Sequence, residues 1–266
     1  MKCNSYGRML KRISTLEPYE QATVKRIFSW LICTRRPLHT VELSHALLIQ
    51  PGDKHLQHTR ALYKDILELC GPIVEKRKEY ITFIHFSAKE YSHAKTFSRY
   101  NVELISPRFL TKDSQDGWIG IQKAECHTEV AVACLSYLSF RYFDVDITDD
   151  EMDGFVKSGE YALHKYSQSN FLHHIRGAWC GVEGTSGTLK SSTKEFLKAR
   201  WNPSFRRIVS APSPSFSELG HIKSMDPEDY EKLSTIAAHL RTRNFTESSK
   251  GLFFLCTKLP MLNYCV

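Results

Sequence analysis

Apolar residues recur from Pro18 onward with the spacing of one helical face. Val24, Ile27, Phe28, Leu31 and Ile32 stand at i, i+3, i+4, i+7 and i+8, and Arg35-Arg36-Pro37 ends the run. Thr40 is the expected N-cap of a second helix, which turns Leu43, Ala46 and Leu47 inward until Pro51-Gly52-Asp53 stops it. Leu62, Ile66 and Leu69 predict a third, closed by Gly71-Pro72. The period then changes. Ile73-Val74 and Tyr80–Phe86 are β-prone, the charged stretch Glu75–Glu79 separates them as a turn, and Ile81, Phe83 and His85 alternate onto one face of the hairpin. Ser87 and Glu90 have the spacing of a capping box and predict a fourth helix directly after it. Helix-helix-helix-hairpin-helix is the order of a winged helix, here at residues 18–99.

Helical spacing continues beyond it. His127–Phe140 places Val130, Cys134, Tyr137 and Leu138 on one stripe, and Tyr161–Ile175 does the same with Leu163, Tyr166, Phe171 and His174. An antiparallel pair is expected, forming a helical linker at 101–181. From Gly181 to Ser224 the chain is rich in Gly, Ser, Thr and Pro, with a short apolar and basic interlude at Phe196–Val209, and reads as a loop or linker. Asp226 as N-cap, Pro227 in the first turn and Leu233, Ile236, Ala237 and Leu240 at helical spacing predict a last helix near 227–243. The expected fold is therefore mainly α: a winged helix, a helical linker bundle, and a poorly ordered, flexible segment at 182–266 holding one helix.

Composition narrows the class. With 42% hydrophobic and 24% charged residues, the chain is neither wholly disordered nor a polytopic membrane protein. Its longest apolar run near the end, Leu252–Cys256, is far below the roughly 20 residues of a bilayer-spanning helix. Eight scattered cysteines without a CxxC pair read as reduced, mostly buried thiols of a cytoplasmic protein. Net charge is +7 and uneven: residues 1–100 carry 17 Lys/Arg against 9 Asp/Glu, the remainder 19 against 20. A basic N-terminal third suits nucleic acid, an acidic partner surface or an acidic neighbouring domain.

The candidate chemistry is mostly negative. A phosphate-cradling GxxxxGK[ST] loop is absent, since Gly181–Gly187 lacks the Lys-Ser/Thr pair. No GxSxG elbow is present, so no catalytic residue is assigned and the chain is read as no enzyme. Histidines and cysteines pair in sequence at His55/His58, Cys126-His127 and His173-His174 with Cys180, but none has a partner pair at zinc-finger spacing; no metal and no cofactor are expected. A winged helix that reads DNA offers Arg, Lys, Asn or Gln from its third helix to the major groove. This one offers Tyr63, Lys64, Asp65 and Glu68, and its basic residues lie in the wing turn (Lys76, Arg77, Lys78) and after the first helix (Arg35, Arg36). Those five are the expected interface for a protein partner. A basic winged helix that binds nucleic acid is the alternative.

Three segments together carry a resemblance: RIFSWLICTRRPLHTVELSHALLI (Arg26–Ile49), DILELCGPIVEKR (Asp65–Arg77) and FIHFSAKEY (Phe83–Tyr91). They are similar to the winged-helix domain that follows the NACHT nucleotide-binding domain in fungal signal-transducing ATPases of the STAND class with ankyrin or WD repeats. That domain is also described as the GPI inositol-deacylase winged helix, a label that carries no lipid hydrolysis with it. CLSYLSF (Cys134–Phe140) and LHKYSQSNFLHHI (Leu163–Ile175) resemble the helical linker that precedes the repeats. The sequence departs from the family in lacking the ATPase motifs, in Phe171 where the family often has Trp, and in showing no repeat unit beyond Gly181. It therefore resembles a fragment of such a protein. The resemblance implies a regulatory, protein-docking role, with an ATPase domain or sister chain as partner and no membrane. It implies a contact between His85 and a bound diphosphate only when an ATPase domain is supplied in trans. The alternative for His85 is packing at the wing base with Ile81 and Phe83.

Overall fold

The computed structural model describes residues 11–84, 121–144, 147–179, 187–201 and 225–242. Helix α1 spans Pro18–Cys33, with proline in the first turn where its missing N–H costs nothing and Glu20 accepting from the Glu17 N–H at 3.2 Å. Val24, Ile27, Phe28, Leu31 and Ile32 are all buried, as their spacing predicts. Trp30 is also fully buried, because α1 is covered on two sides.

Between α1 and the second helix runs a two-residue strand, β1 (Leu38–His39), too short to leave a signal in the sequence. The second helix, α2 (Thr40–Leu48), starts one residue earlier than Thr40 suggests: His39 is the N-cap, its Nδ1 accepting from the Val41 N–H at 3.3 Å. Glu42 completes the box by accepting from the His39 N–H at 2.8 Å. Thr40 serves the sheet instead, its N–H and hydroxyl both donating to the Glu79 carbonyl, at 2.7 and 3.0 Å.

The third helix is shorter than its apolar spacing predicts. α3 spans only Ile66–Cys70, because the Asp65 side chain caps the Leu67 N–H at 2.7 Å and leaves Leu62 in the irregular segment before it. Gly71 ends it at φ 58°, and a β-carbon there would stand 2.1 Å from the Arg12 guanidinium. Strands β2 (Val74–Arg77) and β3 (Tyr80–Phe83) form the wing, in register Val74↔Phe83 to Arg77↔Tyr80. The expected five-residue turn is thus confined to Lys78-Glu79, with Lys78 at φ 55°. β1 joins on the far side of β3, Leu38 opposite Ile81, giving the antiparallel order β1-β3-β2. The capping box at Ser87 and Glu90 lies outside the described residues.

The helical part is built on α4 (Lys123–Leu138) and α6 (His164–Trp179). His127 lies against His174 while the Tyr137 hydroxyl donates to the Glu160 carbonyl at 2.8 Å, so the two helices run antiparallel, as expected. Helix α5 (Asp149–Lys157) precedes α6 and is capped reciprocally by Thr148 and Glu151.

The loop expected from Gly181 to Ser224 is corrected over part of its length. Residues 187–200 form helix α7 (Gly187–Arg200), which buries Leu189, Phe196 and Leu197. The Phe196 ring meets Phe171 at 5.4 Å, and the Arg200 guanidinium caps the end of α4 through the carbonyls of Leu138 (2.7 Å) and Phe140 (2.6 Å). Apolar burial here overrides a serine- and threonine-rich composition that is only mildly unfavourable to a helix. The last helix, α8 (Pro227–Thr242), begins at the expected Asp226 cap and packs Leu233, Ile236 and Ala237 on α6. The buried side chains of the winged helix and the bundle form one continuous apolar core. No helix among the described residues is long and apolar enough to cross a membrane.

Candidate functional site at the seam of winged helix and bundle

Where α1 ends it meets α4 and α6, and three polar networks cross that seam. In the first, Arg26 of α1 donates Nε to Glu129 of α4 at 2.6 Å and its terminal nitrogens to the Leu47 and Ile49 carbonyls at 2.7 and 3.1 Å. It closes the C-terminal end of α2 and holds that end against the bundle.

The second network lies under the loop between α2 and α3. Glu160, almost wholly buried, accepts from the Tyr142 hydroxyl at 2.8 Å and pairs with His58 Nε2 at 2.6 Å. The Tyr142 hydroxyl in turn accepts from the Leu56 N–H at 2.7 Å. Burial, and then the neighbouring carboxylate, hold the Tyr142 phenol protonated well above its ordinary range.

The third network is the one with chemical capacity. His127 on α4 and the consecutive His173 and His174 on α6 form a triangle of rings, with centroid separations of 5.4, 5.2 and 5.2 Å. One nitrogen of each lies within 4.8 Å of the others, so these three residues could hold a metal ion. His127 Nδ1 and His174 Nδ1 face each other at 3.1 Å. His174 Nε2 meets the Tyr166 hydroxyl at 2.8 Å. The Tyr166 ring packs on Trp30 at 5.8 Å and lies under the Arg36 guanidinium at 5.3 Å, which ties the cluster to the end of α1. Burial foremost, then the other imidazole charges, lower His127 to about 4 and His174 well below the usual imidazole range. Both are neutral near pH 7, each with one proton and one lone pair to offer.

His127 is seated by an absence. A β-carbon on Gly177 would stand 2.5 Å from its ring, so the ring rests directly on the α6 backbone. On the α1 side of the same helix, Cys126 faces Cys33, whose thiol reaches the Lys123 carbonyl at 3.7 Å. The hydrogen bond with Cys126, and then burial, hold the Cys33 thiol strongly protonated. Cys33, Cys70, Cys126 and Cys134 are all free and buried, in agreement with the reduced thiols expected.

The residues singled out from the sequence fall differently. Arg36 is engaged within the chain, forking onto Glu42 at 2.5 and 2.7 Å as well as covering Tyr166, while Arg35 is exposed. In the wing, Lys76 pairs with Glu79 at 3.0 Å and Arg77 with Glu75 at 2.5 Å, so two of its three cations face carboxylates of the same hairpin; Lys78 is exposed at the turn. His85 lies outside the described residues. The histidine triangle escapes sequence reasoning because its two parts, Cys126-His127 and His173-His174, are each unremarkable and only the antiparallel pairing of α4 with α6 unites them. The matching burial stripes of those two helices are the signal that could have found it.

Neither a curated protein nor a solved structure matches the chain. The first two helices with β1, the short acid-capped α3 and the β2–β3 wing stand within a segment, residues 13–99, that matches the family described as GPI inositol-deacylase, winged helix domain.

Proposed function

We propose that the chain is a non-enzymatic regulatory scaffold of a NACHT-type signal-transducing ATPase, acting by protein–protein docking. The observation that carries this reading is the surface around α3. A groove-reading helix needs cationic or amide side chains at its start, whereas α3 is five residues long, is capped by Asp65 and exposes Glu68. Beside it Tyr63 is 88% exposed and Tyr19 is 60% exposed, flanking the Glu20–Lys64 ion pair at 2.7 Å. Exposed tyrosines around a fixed charge pair suit a protein surface, where aromatic anchors carry much of the binding energy. The salt-paired wing cations leave little free positive charge for phosphates, which further supports a protein partner over nucleic acid.

Binding of the full chain to the NACHT-type ATPase domain of a fungal signalling protein, measured with ADP and with ATP bound, tests the proposal. The expected result is a complex that favours the ADP state and weakens at least tenfold in Tyr63→Ala. Absence of binding to that domain, together with salt-dependent binding of duplex DNA, would favour the nucleic-acid reading instead.

A further inference from the structure

We propose that His127, His173 and His174 form a binding site for a zinc-class divalent cation at the end of the α4–α6 pair. Three arguments converge on it. The first is geometric. Two nitrogen ligands on tetrahedral zinc, each about 2.0–2.1 Å from the ion, lie about 3.3 Å apart. His127 Nδ1 and His174 Nδ1 stand at 3.1 Å on helices whose packing already fixes them. The third ligand is His173, the exposed member, a nitrogen of which lies within 4.8 Å of a nitrogen of each of the other two.

The second argument concerns what surrounds the ligands. A metal-bound imidazole usually donates its other N–H to an oxygen that fixes the ring. His174 has that partner in Tyr166 Oη at 2.8 Å, and the Tyr166 ring is packed on Trp30. The missing side chain at Gly177 gives His127 a seat that any larger residue would deny.

The third is protonic. The close Nδ1 pair is satisfied without metal only if one ring donates its single proton to the other's lone pair. On cation binding that proton leaves Nδ1 and is carried on Nε2 of the same ring, which frees both Nδ1 lone pairs for the ion. Each imidazole stays neutral, and no net proton is lost or gained. Because imidazole nitrogen suits zinc, copper and nickel better than magnesium or calcium, the ligand set selects a borderline transition ion. A fourth position faces solvent beside His173 and is filled by water.

The test uses the full chain, stripped with chelator, and titrates zinc ion alone by calorimetry with a parallel melting experiment. Expected are one zinc per chain, a raised melting temperature on saturation, and the intense visible bands of four-coordinate cobalt when Co2+ replaces zinc. His173→Ala removes a ligand from the surface without opening the core, and should weaken zinc at least tenfold and abolish the thermal shift. His55→Ala, in an exposed loop, should leave both unchanged. Failure of the wild-type chain to bind zinc, or equal affinity and thermal shift in wild type and His173→Ala, would overturn the proposal.

Discussion

The Arg26 guanidinium joins three helices at once: Nε donates to Glu129 of α4 at 2.6 Å while the terminal nitrogens hold the last carbonyls of α2. The winged helix and the bundle are therefore coupled by a directional contact as well as by the apolar core. Arg26→Ala leaves two helix-end carbonyls and one carboxylate without their donor. It should lower stability by about 2 kcal/mol, since hydrogen bonds to charged groups contribute roughly 1.5–3 kcal/mol. Arg26→Lys should recover little of that, because an ammonium cannot serve three acceptors in a planar fork. Urea denaturation followed by fluorescence measures both, and a wild-type midpoint for Arg26→Ala would show that the core alone holds the seam.

Gly177 lies inside α6, where replacing glycine by alanine ordinarily stabilises a helix by about 0.5–1 kcal/mol. Here the opposite sign is expected. The new methyl would stand 2.5 Å from the His127 ring, which is packed against helix backbone and cannot retreat. Gly177→Ala should cost on the order of 1–3 kcal/mol, the range of overpacking in a closed core. The double variant Gly177→Ala/His127→Ala should be more stable than the two single losses added together, because the clash needs both groups. Strict additivity in thermal melts would contradict the close approach.

His164 is buried against Phe143, its ring stacked at 5.1 Å, and neither ring nitrogen has a hydrogen-bond partner. Burial pushes it down to about 4. The unfolded chain takes up this proton near the ordinary imidazole value of about 6.5, the folded chain only near 4. Its contribution to stability is therefore fully present above pH 6.5 and is lost as pH falls from there to about 4, on the order of 3 kcal/mol across that window. His164→Phe removes the titrating group and fills the same apolar site. It should match or exceed wild-type stability at pH 7.5 and flatten the acid limb between pH 6.5 and 4; an unchanged pH slope would show that other groups set that limb.

Much of the architecture is local and was legible in the chain. The α1 stripe from Val24 to Ile32, the α6 stripe from Leu163 to His174 and the Asp226-Pro227 start of α8 all rest on period and capping, which nearest neighbours in sequence decide. So does the hairpin, whose β-branched and aromatic runs flank a short charged turn. The composition of residues 187–200 was misleading for the converse reason. Helix α7 owes its existence to Leu189, Phe196 and Leu197 finding a surface on α4 and Phe171, and a serine-rich segment does not announce that surface.

What only the tertiary structure decided is which distant groups share a space. Arg36 is a free cation by sequence, yet Glu42 and the Tyr166 face engage it within the chain. His127 and His174 are 47 positions apart, and each alone is a histidine on a buried stripe. Antiparallel packing of α4 on α6, with a glycine at the crossing, brings their nitrogens within hydrogen-bond reach and strips both of water. Periodicity records which face of a helix is buried; it carries no information about the partner that buries it, and the chemistry of this seam depends on that partner.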